Sequence, residues 1–114
     1  MCVAEIECRG LHVEGIYRVS PSSDDLEALR IQVDQHGEAT SLSSCSDIHV
    51  VAGLLKLFLR LLPIPLIPFD QYDRLIAAMK CTSPLQRIGE VRTILARFPP
   101  AHFQTTKFLM AHLY

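Results

Sequence analysis

Arg18 sits in the run Gly15-Ile16-Tyr17-Arg18-Val19-Ser20, directly after Arg9-Gly10-Leu11-His12-Val13-Glu14. Ile16 and Tyr17 are residues that pack inward. They would anchor a short exposed stretch with Arg18 at its tip. A guanidinium is planar, permanently charged and carries a fork of N–H donors, so it suits a phosphate oxygen better than an ammonium does. Offered on an anchored loop, it could reach into another protein's active site. Taken alone, a loop arginine is more often simply solvated. Two further cations stand out near the middle of the chain. Lys56 and Arg60 are four residues apart in Leu54-Leu55-Lys56-Leu57-Phe58-Leu59-Arg60-Leu61-Leu62-Pro63-Ile64-Pro65-Leu66-Ile67. On a helix that spacing puts both on one face. They are either long side chains snorkelling from an apolar helix or a basic spot for an acidic or phosphate-bearing partner.

The elements that must position these residues are legible as helices. Residues 2–8 read as the end of a helix closed by Gly10. Residues 11–21 form the loop that holds Arg18. Ser22 or Ser23 caps a helix to about His36, with Asp24, Asp25 and Glu27 in the first turn, where the helix dipole favours acids. Gly37 ends it, and residues 38–46 make a polar loop. Asp47 caps a helix over 48–62. Its apolar residues run almost around the axis, the pattern of a central helix packed by several others. Pro63 stops it. Asp70 is expected to cap a helix to about Lys80. Ser83-Pro84, a cap followed by an N1 proline, opens another through Phe98. Pro99-Pro100 separates that from a last helix over 101–114. No stretch alternates as a strand would, so the predicted class is all-α.

Composition narrows the function further. At 114 residues one domain is expected, and 49% apolar residues suffice for a core. The net charge is −1, and the basic residues are scattered without aromatic interleaving, so nucleic acid is not an expected partner. Cys2, Cys8, Cys45 and Cys81 form no C-x-x-C pair, and the five histidines are dispersed. Free thiols in a reducing compartment and no metal site are expected. The run 48–69 is long enough to span a bilayer. Lys56 and Arg60 within it would each cost roughly 2.5–3.5 kcal/mol at the centre, and Pro63, Pro65 and Pro68 interrupt it. Membrane insertion is therefore not expected. Cys2-Val3-Ala4-Glu5 carries no basic region of a secretory leader.

The loop arginine, the Lys56/Arg60 helix and the following Leu-Pro-x-Pro-Leu-Ile together resemble the Rho-family GTPase-activating (RhoGAP) domain. The likeness covers essentially the whole chain. Glu7-Cys8-Arg9-Gly10-Leu11, Leu62-Pro63-Ile64-Pro65-Leu66-Ile67, Pro99-Pro100-Ala101-His102 and Leu109-Met110-Ala111-His112-Leu113 look most like the chimaerin group of that family. The resemblance implies an all-α RhoGAP-type helical bundle. It implies a GTPase activator that works in signal transduction on GTP-bound Rho/Rac-family small GTPases, Rac-type ones above all. It makes Arg18 the arginine finger. Lys56 and Arg60 become the basic pair facing the GTPase, with Arg60 bracing the finger loop and Lys56 meeting the GTPase or that loop. Pro63 and Pro65 fall in the segment lining the docking groove. Such a protein lends an arginine in trans instead of turning over a substrate of its own, and it implies no cofactor. The setting is cytoplasmic, with membrane recruitment assigned to domains outside this chain; in full-length chimaerins the resemblance implies an upstream diacylglycerol-binding zinc module.

Three departures from the family pattern bear on activity. Pro21 stands where relatives carry glycine after Arg-x-Ser; its fixed φ and its push on Ser20 toward extended geometry are expected to displace the finger loop. Leu61 stands where an acidic residue usually precedes Leu-Pro-x-Pro, which removes a charge partner for Arg60 or a neighbour. Residues 1–114 also read as a partial RhoGAP domain, truncated at both ends. The start of the first helix and the C-terminal part with a functional asparagine are absent, leaving apolar faces of 48–62 and 101–114 open. The alternative expectation is a catalytically inactive RhoGAP-like module that binds GTPases or acts as a scaffold.

Overall fold

The computed structural model describes residues 1–114, and every regular element in it is helical: α1 Cys2–Arg9, α2 Ser23–His36, α3 Ile48–Leu61, α4 Phe69–Met79, α5 Pro84–Leu95 and α6 Pro100–Leu113. Two short 3-10 turns, Gly37–Ala39 and Leu42–Ser44, lie between α2 and α3. The all-α expectation is met. The chain packs as two compact units, Met1–Leu61 and Leu62–Tyr114.

In the first unit α3 lies against both α1 and α2. Its N-terminal half supplies the core: Ile48, Val50, Val51, Ala52 and Leu54 are buried, joined by Ile6, Leu29 and Leu42 from the other elements. Val51 is fully buried and Ile6 nearly so. Truncating either to alanine would cost about 2–4 kcal/mol, through lost transfer energy and the void left behind. The all-round burial expected of this helix holds only for its first half. Toward the C-terminus Phe58 and Leu61 are exposed.

Most helix boundaries follow from the caps. Ser22 Oγ accepts from the Asp25 N–H, and Ser83 Oγ from the Gln86 N–H. The Asp47 carboxylate accepts from the His49 N–H at 2.9 Å, satisfying a donor that the first helical turn leaves unpaired. The boundary expected at Asp70 differs. Pro68 is the N-cap residue of α4 and Asp70 lies inside its first turn. Proline has a pre-set φ and no N–H to satisfy, so the helix starts there; Asp70 lends its charge to the positive end of the dipole, and its carboxylate accepts from Gln71 Nε2 at 3.4 Å.

Gly10 closes α1 with right-handed geometry (φ −113°), and its N–H bonds the Ile6 carbonyl at 2.7 Å. Glycine is needed there for space: a Cβ would sit 2.9 Å from the Ile6 carbonyl oxygen and 3.0 Å from Ile48 Cγ1. The segment 38–46, expected as a plain polar loop, tucks Leu42 into the core and is held from α1 by Arg9.

In the second unit α4 packs on α5 around Ala78, Ile94 and Phe98. The segment before α4 is tied to α6 by His102, whose Nδ1 lies 2.8 Å from the Leu66 carbonyl. A carbonyl only accepts, so Nδ1 is the protonated, donating nitrogen. No residue of α6 is buried. No helix is long and apolar enough to cross a membrane.

Candidate functional site

The loop carrying Arg18 is a succession of tight turns. The Val13 N–H bonds the Gly10 carbonyl and the Ile16 N–H bonds the Val13 carbonyl. The Gly15 carbonyl then accepts from the N–H groups of both Arg18 and Val19, each at 2.8 Å. This last turn is possible because Gly15 adopts φ +79°, a region open to glycine at little steric cost. A Cβ at Gly15 would lie 2.6 Å from Val19 Cγ2.

Tyr17, directly before the arginine, is also left-handed, with φ +71°, the one non-glycine residue in the chain with positive φ. For a bulky side chain that conformation costs roughly 1–2 kcal/mol and persists only where the surroundings enforce it. Two contacts do so. The ring packs, partly buried, against the first unit's core beside Ile16 and Val13. On the other side Lys56 Nζ, from α3, donates to the Tyr17 carbonyl at 2.8 Å. Burial pushes the Tyr17 hydroxyl above its usual range, and nearby Cys2 and Glu7 add to the effect. The phenol therefore stays neutral through physiological pH.

Arg18 itself is exposed, as are Lys56 and Arg60. The structure brings Arg18 and Lys56 together through a shared peptide unit: Lys56 holds the carbonyl of the residue before the arginine. Arg60, one turn further along α3, makes no hydrogen bond to the loop, and Leu61 beside it is 64% exposed. The loop is thus braced by Lys56. Pro63 is exposed and Pro65 half-buried, and both belong to the second unit.

Two structural residues escaped the sequence reading. Arg9 donates through Nε to the Glu5 carboxylate at 2.7 Å and through one terminal nitrogen to the carbonyls of Leu42 and Cys45, at 3.0 and 2.6 Å. Its carbonyl partners lie over thirty residues away, so only the Glu5/Arg9 spacing was visible. Gly53 on α3 faces the ring of Pro21. The arrangement has no built pocket for a substrate. It offers an exposed guanidinium on a braced turn, with one terminal nitrogen lying back over Gly15, 3.5 Å from where a Cβ there would stand.

The first unit is thus all-helical and presents one arginine from a strained, lysine-braced turn. The family model for the RhoGAP domain matches residues 1–114, and this chain belongs to the RhoGAP domain family. N-chimaerin of Rattus norvegicus is 44% identical over 115 residues, covering 99% of this chain and 34% of the relative. Beta-chimaerin of Mus musculus is 41% identical over 115 residues, with 99% and 35% covered. The crystal structure of human Rho GTPase activating protein 15 superposes with a TM-score of 0.90 at 39% identity, covering 98% of this chain and 54% of that one. The chain therefore spans about a third of the length of the chimaerins it matches.

Proposed function

We propose that this chain stimulates GTP hydrolysis on Rho-family small GTPases, of Rac type, by inserting Arg18 into the GTPase's nucleotide site. The observation that carries this reading is the brace on the arginine turn: Lys56 fixes the Tyr17 carbonyl while Arg18 stays exposed. Membership of the RhoGAP family and the likeness to the chimaerins support the choice of partner.

The mechanism follows from charge. Phosphoryl transfer leaves little covalent work to a protein; positioning and neutralisation of charge on the transferring group dominate. The GTPase supplies Mg²⁺ and orients the attacking water. Arg18 supplies N–H donors to oxygens whose negative charge grows as the β–γ bond breaks. Because those bonds tighten in the transition state, they raise the rate more than the affinity. In the Ras system an arginine delivered in trans contributes about 10³–10⁵ in rate, equal to roughly 4–7 kcal/mol of barrier. A turn already fixed before docking means that less loop ordering opposes the reaction.

Within this reading Lys56 is a positioning residue. Arg60, one turn along the same exposed face, meets the GTPase surface. Pro63 and Pro65, in a segment stiffened by three prolines, contribute to docking. Residues 1–114 act as part of a RhoGAP domain, in the cytoplasm, with membrane recruitment left to other domains. The test is single-turnover GTP hydrolysis by a GTP-loaded Rac-type GTPase with this chain and with Arg18→Ala. Acceleration lost in the variant supports the finger. Tight binding with no acceleration by either protein would replace it with a non-catalytic binding module.

A further inference from the structure

Gly53 lies in mid-helix, on the exposed-loop side of α3, and its backbone is approached very closely. A Cβ built there would stand 2.8 Å from Cγ and 3.3 Å from Cδ of Pro21, with Leu26 Cδ1 at 3.6 Å. The Pro21 ring is therefore in contact with bare helix backbone. A pyrrolidine ring is rigid and cannot swing aside as the end of a long chain could. Gly53 sits three residues before Lys56, so both act from neighbouring turns of α3.

We infer that Pro21 and Gly53 form the second anchor of the arginine turn, and that Gly53 is a positioning residue for Arg18. The inference deepens the GTPase-activating reading and rests on it for its kinetic arm. The two anchors bracket the arginine: Lys56 fixes the chain at the Tyr17 carbonyl, and Gly53 seats it at Pro21. Only Arg18, Val19 and Ser20 lie between. Ser20, as the residue before a proline, is held extended, which stiffens the span further. The proline that departs from the family pattern is thus accommodated by the helix residue that has no side chain.

The test uses the 114-residue chain and three variants, Gly53→Ala, Pro21→Ala and the double variant. In Gly53→Ala the ring must retreat by more than about half an ångström to reach ordinary contact, carrying the arginine turn with it. Alanine is the better helix former, so α3 itself is not weakened, and circular dichroism and thermal melting verify this. Stimulation of GTP hydrolysis is expected to fall by about tenfold or more, since misplacement by about 1 Å costs on the order of 10²-fold. The fall should appear in the maximal rate, with half-saturation by the GTPase unchanged. Pro21→Ala empties the seat without driving the turn outward, so it lowers stimulation by less than Gly53→Ala does, and the double variant returns to the level of Pro21→Ala, a non-additivity expected only of groups in contact.

Amide ¹H–¹⁵N spectra supply an arm independent of activity. Gly53→Ala should shift the amides of Arg18, Val19 and Ser20, and the double variant should match Pro21→Ala there. A parent chain without GTPase stimulation would overturn the activating reading while these spectra still decide the anchor. Gly53→Ala matching the parent in rate or in those amides overturns it, as does a double variant no better than Gly53→Ala. If Gly53→Ala fails to fold, recovery of the fold and of those amides in the double variant supports the anchor, and no recovery overturns it.

Discussion

Lys56 Nζ and the Tyr17 carbonyl are 2.8 Å apart across thirty-nine residues of sequence. This contact couples the middle of α3 to the one left-handed non-glycine residue in the chain, which immediately precedes Arg18. A strained peptide is thereby held by a cation on a helix, and the arginine inherits the rigidity of that helix. Lys56→Met removes the donor while keeping much of the alkyl stem. Because the contact is exposed, its stability share is about 1 kcal/mol or less. Stimulation of GTP hydrolysis should nevertheless fall about tenfold or more, a difference of about 1.4 kcal/mol in the barrier. Paired melting curves and single-turnover kinetics check the separation.

Gly15→Ala should damage the same turn from its other end. An alanine at φ +79° carries a left-handed penalty of roughly 1–2 kcal/mol, and its Cβ would strike Val19 Cγ2 at 2.6 Å. The expected destabilisation is about 1–3 kcal/mol, read by urea denaturation, together with loss of GTPase stimulation. Gly37 is also left-handed, but a Cβ there meets nothing, so Gly37→Ala should destabilise by backbone strain alone.

Local chemistry made much of this fold legible and long-range geometry did not. Ser22, Asp47 and Ser83-Pro84 identify helix starts because a cap acts on its own next turn. Asp70 misled because Pro68, two residues earlier, already supplies a helix-compatible φ. The apolar run of α3 announced a core helix. Which half is buried depends on where α1 and α2 cross it, and no periodicity encodes that. At the site, residue types and spacing singled out Arg18, Lys56 and Arg60. That Lys56 reaches the loop, and Arg60 does not, is a matter of one helical turn. The Pro21 seat on Gly53 was hidden because a missing side chain leaves no chemical signature.

Arg9 bonds the Glu5 carboxylate within α1 and joins that helix to the segment before α3 through two carbonyls. Arg9→Ala strands those carbonyls and frees a half-buried Glu5, so a loss of about 2–4 kcal/mol is expected. Amides of residues 37–47 should exchange faster with solvent than those of α2. Arg9→Lys should recover little, since one ammonium cannot reproduce the forked geometry.

His102 plays a comparable part in the second unit. His102→Ala removes the donor to the Leu66 carbonyl, at an expected cost of about 0.5–1.5 kcal/mol. Hydrogen exchange should rise at Ile64, Leu66 and Ile67. If the proline segment contributes to docking, affinity for the GTP-bound GTPase should weaken while the maximal stimulated rate holds.

The most direct test of the central claim is single-turnover GTP hydrolysis by a Rac-type GTPase, with the parent chain and with Arg18→Ala, alongside equilibrium binding of both to the GTP-bound form. The account predicts acceleration by the parent, a loss of about 10³-fold or more in the variant, and similar binding by the two. A variant that accelerates hydrolysis as well as the parent would contradict it.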